Sequence, residues 1–520
     1  MCIIFRLLQL NLAYITMKYL YLSVISLFLL SSCKTSQVAT VVDAPKPMTL
    51  NHADIIHQEV SQRGIKSHIQ FLASDALRGR DTGSEGLEAA AAYIAANFAA
   101  AGIGEVNNTH FQTIPFVTFT PPKEASLSIG DIGLSFPNDF IAINGKAADF
   151  SAATVDIGYG NQDDINGKDL NKKIAVSIAG DGVSQDPRDW IAASNDKRKR
   201  AKAAGALALV EIYQSTAIPW RFLRRIGTQA QTTFDEGTEQ SDMVNIWVGT
   251  TDSLTIATLR AGDQPLTIKM DAVSREQITS DNVMGLIEGT DPTLKNEYIV
   301  HTAHYDHVGV GAPDDLGDEI YNGARDNAVG VTAVLSLANY FAAHPPKRSA
   351  MFVLFTAEEK GLLGSKYFTE HLPVPANQIK YNFNIDNGGY NDTSIISVIG
   401  LTRTEAEMDI QKACNEIGLQ AIEDPAKEQG LFDRSDNVNF AVLGIPAPTF
   451  SLGFRAFDEE IFKYYHRPGD QVETLDMDYI EKYVKAYILS AINIDGRKEA
   501  PFWLEGDKYY DAGVQLYGKN

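Results

Sequence analysis

Cysteine is scarce in this chain. Its 520 residues hold only Cys2, Cys33 and Cys414, and that count excludes a disulfide framework. Cations are outnumbered, with 45 Lys and Arg against 66 Asp and Glu, so the formal charge is -21. A surface of that sign repels a polyanion, so nucleic acid is excluded as a partner class. Long apolar runs are lacking too. The one near the N-terminus, Tyr19–Leu30 (YLYLSVISLFLL), falls short of the ~20 residues needed to span a bilayer. The length does suffice for two or three domains with real cores.

That short run has a setting of its own. Met17-Lys18 precedes it as a positive n-region, and small residues follow it, which is the make-up of a secretory signal. Leu30-Ser31-Ser32-Cys33 resembles the lipobox of bacterial lipoproteins. The resemblance implies a signal peptide over residues 1–33 and a lipid on Cys33 that anchors the chain to a membrane of the cell envelope. Lys34 is not the Asp that marks inner-membrane retention in enteric lipoproteins, so the expected location is the outer membrane. Residues 34–50 are polar and read as a tether.

Beyond the tether, Ile55–Phe71 has helical apolar spacing. A turn-rich link, LASDALRGRDTGSEG, follows. Ser84 caps an alanine-rich helix that Gly102 ends. Within the link, Arg78-Gly79-Arg80 reads as a solvated turn. Residues 119–279 then change texture to short strands (ASLSIG, ATVDIGYG, KKIAVSIAG, ALALVEI, DMVNIWVG), expected as an inserted β-rich domain without chemistry of its own. Its basic helix, Asp196–Ala204, reads as a solvated face.

An alternating pattern resumes at Asn282. The strands are VMGLIEG, EYIVHTA, AMFVLFTA, YNFNIDN, SIISVIG and APTFSLG. The helices are Ala328–Ala343, Gly361–His371, Thr404–Ile417, Asp436–Leu443 and Asp478–Ile494. The fold class is therefore α/β, a mixed and largely parallel sheet flanked by helices, built from residues 51–118 and 280–500. Residues 501–520 form an aromatic tail that packs on the surface or stays loose.

Such sheets bind ligands at the carboxyl ends of their strands, and the notable acids and histidines fall there. His304, Asp306 and His307 end the strand EYIVHTA. Asp326 precedes a helix, Glu358 and Glu359 follow MFVLFTA, Asp386 ends YNFNID, and His466 lies in YYHRPGD. Singly, each has an ordinary structural explanation, such as a helix N-cap or an Asx-turn. Together they suit a two-metal centre, which needs a bridging carboxylate and about two further ligands per ion. Asp326 can bridge, His304 and Glu359 can complete one site, and Asp386 and His466 the other. Nitrogen and oxygen ligands without thiolate suit Zn2+, with Co2+ or Mn2+ as substitutes. Asp306 is placed to accept the second ring N–H of His304. Glu358 is left as the base for a water. His307 has no assigned place.

The set HxD, GARDNA, TAEE, NID and YHRPGD resembles the co-catalytic di-zinc exopeptidases of metallopeptidase family twenty-eight. The resemblance covers about Ile65–Phe116 and Asn282–Gly496, and residues 119–279 are similar to a protease-associated domain. It implies two zinc ions held by His304, Asp326, Glu359, Asp386 and His466. It implies Glu358 as general base, Asp306 as orienter of His304, and a cis peptide after Asp326. The expected activity is aminopeptidase action on peptides. A carboxypeptidase, a glutaminyl cyclase and a binding module without metals are the alternatives on this fold. Arg325 departs from the small polar residue usual beside the bridging Asp. A cation there could pair with a nearby acid or take a substrate's carboxylate.

Overall fold

The computed structural model describes residues 51–184, 190–215, 218–235, 243–262 and 264–519. The signal peptide, Cys33 and the tether expected over residues 1–50 lie outside these. Among the described residues no helix is long and apolar enough to cross a membrane.

Two sheets organise the chain from Asn51 onward. The larger has nine strands among the described residues. In spatial order they are Gln420–Glu423, Ile395–Ile399, Thr449–Leu452, Ile379–Ile385, Tyr298–His304, Ser349–Phe355, Ser274–Ile287, Phe111–Thr120 and Gln231–Phe234. Its centre is parallel, with Tyr298–His304 between Ser349–Phe355 and Ile379–Ile385. The strands Ser274–Ile287, Phe111–Thr120 and Gln231–Phe234 are joined to it antiparallel. Strand Ser349–Phe355 is buried at every residue, as a strand covered by helices on both faces must be. The helices Gly330–Ala343 and Met477–Asp495 pack against one another over one face.

The smaller sheet has eight strands among the described residues, all from residues 125–270, and a core of its own around Val176, Val210, Ile246 and Ile268. Strand Gln231–Phe234 leaves this stretch of chain to pair with Phe116–Phe119 of the larger sheet.

Several local expectations change. The apolar spacing of Ile55–Phe71 runs through two helices, His52–Glu59 and Gln62–Leu72. Val60 is extended between them, and the Ser61 hydroxyl caps the second by accepting from the Gly64 N–H. The basic helix, here Trp190–Ala203, is not wholly solvated. Lys197 and Arg198 are buried, and Lys197 Nζ pairs with Glu211 at 2.8 Å. In the tail, Phe502, Trp503 and Tyr509 are buried, the Trp503 indole donates to the Gly444 carbonyl, and Tyr510–Tyr517 is helical.

Candidate metal centre

The strand Tyr298–His304 delivers His304 to the carboxyl end of the sheet with its side chain buried. His304 Nε2 lies 3.3 Å from Asp326 Oδ1 and 3.3 Å from Asp386 Oδ1. Asp386 follows the neighbouring strand Ile379–Ile385. On its other side, Asp326 Oδ2 lies 3.2 Å from His466 Nε2. His466 Nε2 is in turn 3.1 Å from Glu359 Oε1. Two donor groups result, His304–Asp326–Asp386 and His307–Asp326–Glu359–His466, with the ligand atoms of each within 4.8 Å of one another. Asp326 belongs to both. The two halves are paired differently from the sequence expectation: His304 goes with Asp386, and Glu359 with His466. Distance decides this: both carboxylate-bearing strands flank the strand that ends in His304, but it is Asp386 that comes within 3.3 Å of His304 Nε2.

His307, left without a role by sequence, sits in the second group. Its Nδ1 is 2.9 Å from Glu359 Oε1, and its Nε2 is buried without a hydrogen-bond partner. Asp306 differs in detail from its expected role. The atom nearest His304 Nδ1 is the Asp306 backbone carbonyl, at 3.2 Å, whereas its carboxylate stands 3.8 Å away. That carboxylate instead accepts the backbone N–H groups of Glu358 at 3.1 Å and Glu359 at 3.2 Å. It therefore holds the turn that carries both glutamates. Ala357, which opens the turn, has φ +55°, a left-handed conformation that costs free energy and lets adjacent glutamates diverge.

The peptide Asp326–Asn327 is cis, as the family resemblance implies. The Asp470 carboxylate accepts the backbone N–H of Arg325 at 2.9 Å and of Asp326 at 3.2 Å. Arg325 itself is buried. Its guanidinium donates to Asp470 and to Thr474 and lies 3.8 Å from the centroid of the Tyr464 ring. All of this ties the shared Asp326 carboxylate to the loop that carries His466. Arg325 thus pairs with an acid and does not reach toward a substrate.

Arg80 is the larger surprise. The solvated turn expected at Arg78-Gly79-Arg80 is buried at Gly79 and Arg80. The Arg80 guanidinium donates to the carbonyls of Tyr305 at 2.8 Å, Asn322 at 2.7 Å, Gly323 at 3.1 Å and Leu72. It joins the chain after His304 to the chain before Asp326. Burial lowers its pKa to about 10, although the charges of Asp326, Asp306, Asp470 and Glu359 oppose that shift. Gly79 is required here, because a Cβ would come within 2.3 Å of the Gly309 carbonyl oxygen, and its φ is +70°.

The electrostatics separate the carboxyl groups. Burial drives Glu358 well above the usual carboxylate range, with Asp386, Glu359 and Asp436 adding to the shift and His304 opposing it. Burial also raises Asp306 to about 6. For Glu359 burial is outweighed by its histidine partners, which bring it down to about 2. For His466 burial is outweighed by Asp326 and Glu359, which hold the imidazole up to about 10. Burial raises the Tyr465 phenol far above its ordinary value, and the surrounding carboxylates act in the same sense, so it stays protonated. The Tyr465 ring stacks on His466, with centroids 4.1 Å apart.

This donor set fits a pair of divalent cations. Imidazoles and carboxylates converge around one shared carboxylate, and an imidazole nitrogen in the second group is buried and unpartnered. Beside Asp386 opens a cavity of about 90 Å3 whose walls include Ile399, Phe454, Phe457, Ile461 and Tyr465.

Residues 282–490 match the model of Peptidase family M28. The aminopeptidase YwaD of Bacillus subtilis is 28% identical over 223 residues, which are 42% of this chain and 44% of that protein. A vacuolar membrane protease of Candida glabrata is 27% identical, over 42% of this chain and 21% of its own length. The chain thus spans less than half the length of these curated relatives. An aminopeptidase from Aneurinibacillus sp. strain AM-1 has the same fold, with a TM-score of 0.53 at 23% identity, over 84% of this chain and 95% of that one.

Proposed function

We propose, from the premise that residues 282–490 are a domain of Peptidase family M28, that this protein is a metal-dependent aminopeptidase that removes N-terminal residues from peptides. One observation carries the reading: the Asp326 carboxylate is shared by two converging groups of imidazoles and carboxylates. His304, Asp326 and Asp386 would hold one zinc ion, and Asp326, Glu359 and His466 the other. When bound, such a pair supplies the Lewis acidity that makes water nucleophilic near neutral pH and polarises a carbonyl.

The chain's own residues do the rest. Glu358 takes the proton of the attacking water and returns it to the leaving amine. The Tyr465 phenol keeps its proton and can donate to the carbonyl oxygen as charge gathers there. Asp306 fixes the Glu358–Glu359 turn, and Arg80 and Asp470 fix the loops that carry the other ligands. Arg325, the cation that suggested a carboxypeptidase, is buried in its pairing with Asp470 and is not free to take a substrate's carboxylate. The protein would act at the cell envelope, anchored through a lipid on Cys33.

The test is turnover of a leucine anilide with a free amine against an N-acetylated dipeptide, with and without a chelator. The free-amine substrate should be hydrolysed, and the chelator should stop it. Preferential turnover of the blocked substrate would refute the assignment. Metal analysis should find two zinc ions per chain.

A further inference from the structure

The cavity beside Asp386 is apolar along its walls, but its remaining lining is rich in hydrogen-bond donors. Arg434 lines it, exposed, and its guanidinium makes no hydrogen bond or ion pair with any described residue. Ser435, Thr449 and Ser451 line it as well. The hydroxyl oxygens of Ser435 and Thr449 accept from the Asn384 amide at 2.9 and 3.1 Å, so the protons of both hydroxyls remain to be given. The Tyr465 phenol is also in the lining. The one carboxylate in the lining is Asp386, which the ion site engages. A guanidinium offers five N–H donors and no acceptor, and these hydroxyls add more. The complement of such a pocket is a short side chain with an apolar stem and acceptor oxygens at its end.

We propose that this cavity selects the side chain of the substrate's N-terminal residue and that Arg434 makes it prefer glutamate, and next aspartate, over leucine. This rests on the aminopeptidase reading and specifies its substrate class. The stem would lie against Phe454, Phe457 and Ile461, and the carboxylate would meet Arg434 and the hydroxyls. Arg434 is solvent-exposed, so water weakens its pairing, and the selectivity it confers is modest.

The experiment uses the full chain loaded with zinc and the free-amine p-nitroanilides of Glu, Asp, Leu and Lys. The wild type should show a higher kcat/KM for Glu than for Leu. Arg434→Met should lower the Glu-to-Leu ratio about tenfold, mainly through KM. Arg434→Glu should raise Lys above Glu, a gain that misfolding cannot produce. On Glu358→Gln protein, calorimetric titration should find L-glutamate bound more tightly than L-leucine, and adding Arg434→Met should remove the difference. Equal or better turnover of Leu by the wild type, or an equal loss for Glu and Leu on Arg434→Met, would overturn the preference and leave the aminopeptidase reading standing. If no free-amine anilide is turned over, the aminopeptidase reading fails and the preference fails with it.

Discussion

Two of the places where the molecule buries charge treat it in opposite ways. In the smaller sheet's neighbourhood, Lys197 and Glu211 are almost fully enclosed and 2.8 Å apart. The Trp247 indole donates to Glu211 at 3.0 Å, the Ser194 hydroxyl donates to it as well, and the Asn245 amide donates to Ser194 at 2.7 Å. One cation meets one anion, and neutral donors fill the remaining acceptor sites. At the end of the larger sheet, Asp306, Asp326, Glu358, Glu359, Asp386 and Asp436 crowd around three imidazoles and Arg80. Both Asp436 oxygens lack hydrogen-bond partners. Buried charge is tolerated only when it is compensated. The first cluster is self-compensated and serves the fold. The second gathers more carboxyl groups than cations, an imbalance that divalent cations would offset.

The contrast can be broken at several points. Asp326→Ala should have the largest effect, since it removes the carboxylate common to both donor groups. Bound zinc should fall below one ion per chain and kcat/KM should fall by about 10^4-fold or more, checked by metal analysis and by anilide turnover. Glu358→Gln should lower kcat by about 10^2- to 10^4-fold with both ions retained, whereas Glu359→Gln should lose an ion. If the two variants exchange these outcomes, the two glutamates are assigned the wrong way round. Lys197→Met should leave the Glu211 charge unpaired and cost about 3–5 kcal/mol of stability in denaturant unfolding. Zinc content and KM should not change, because the self-compensated cluster holds no ligand.

The smallest effect is a proton count. Asp326 and Glu359 hold His466 protonated up to about 10, and an ion requires the imidazole neutral. Loading chelator-stripped protein near pH 7.5 should therefore release about one proton from this residue, measurable by calorimetry in buffers of different ionisation enthalpy. The sign follows from the raised value. In stripped protein the stabilisation from charged His466 is complete below about 6.5 and is lost as pH rises through about 10. Apparent ion affinity should rise over that same interval, and an affinity that falls with pH would contradict the assignment.

Much of the active end was legible because its residues sit where a parallel sheet must place them. His304, Glu358, Glu359 and Asp386 all follow strands whose apolar runs were readable, and His466 was marked by its YHRPGD setting. His307 was equally visible in HYDH but earned no role, since only the fold brings Glu359 within 2.9 Å of it. Arg80 and Lys197 were misjudged for one reason. Charge along a chain says nothing about what arrives from elsewhere in sequence. Arg80 meets carbonyls of residues 305, 322 and 323, and Lys197 meets Glu211 from a neighbouring strand. The helix break at Val60–Ser61 was hidden because apolar spacing continued through it.

By itself the sequence determined the α/β framework and the order of the imidazoles and carboxylates that gather at its end, because strand periodicity and residue chemistry are local properties. Only the tertiary structure decided the pairing. His304 Nε2 comes within 3.3 Å of Asp386, and the loop tied down by Asp470 brings His466 to Glu359. It also decided that Arg325 braces a loop while Arg434 faces the cavity. These are questions of distance and burial, and distance between residues far apart in sequence exists only once the chain has folded.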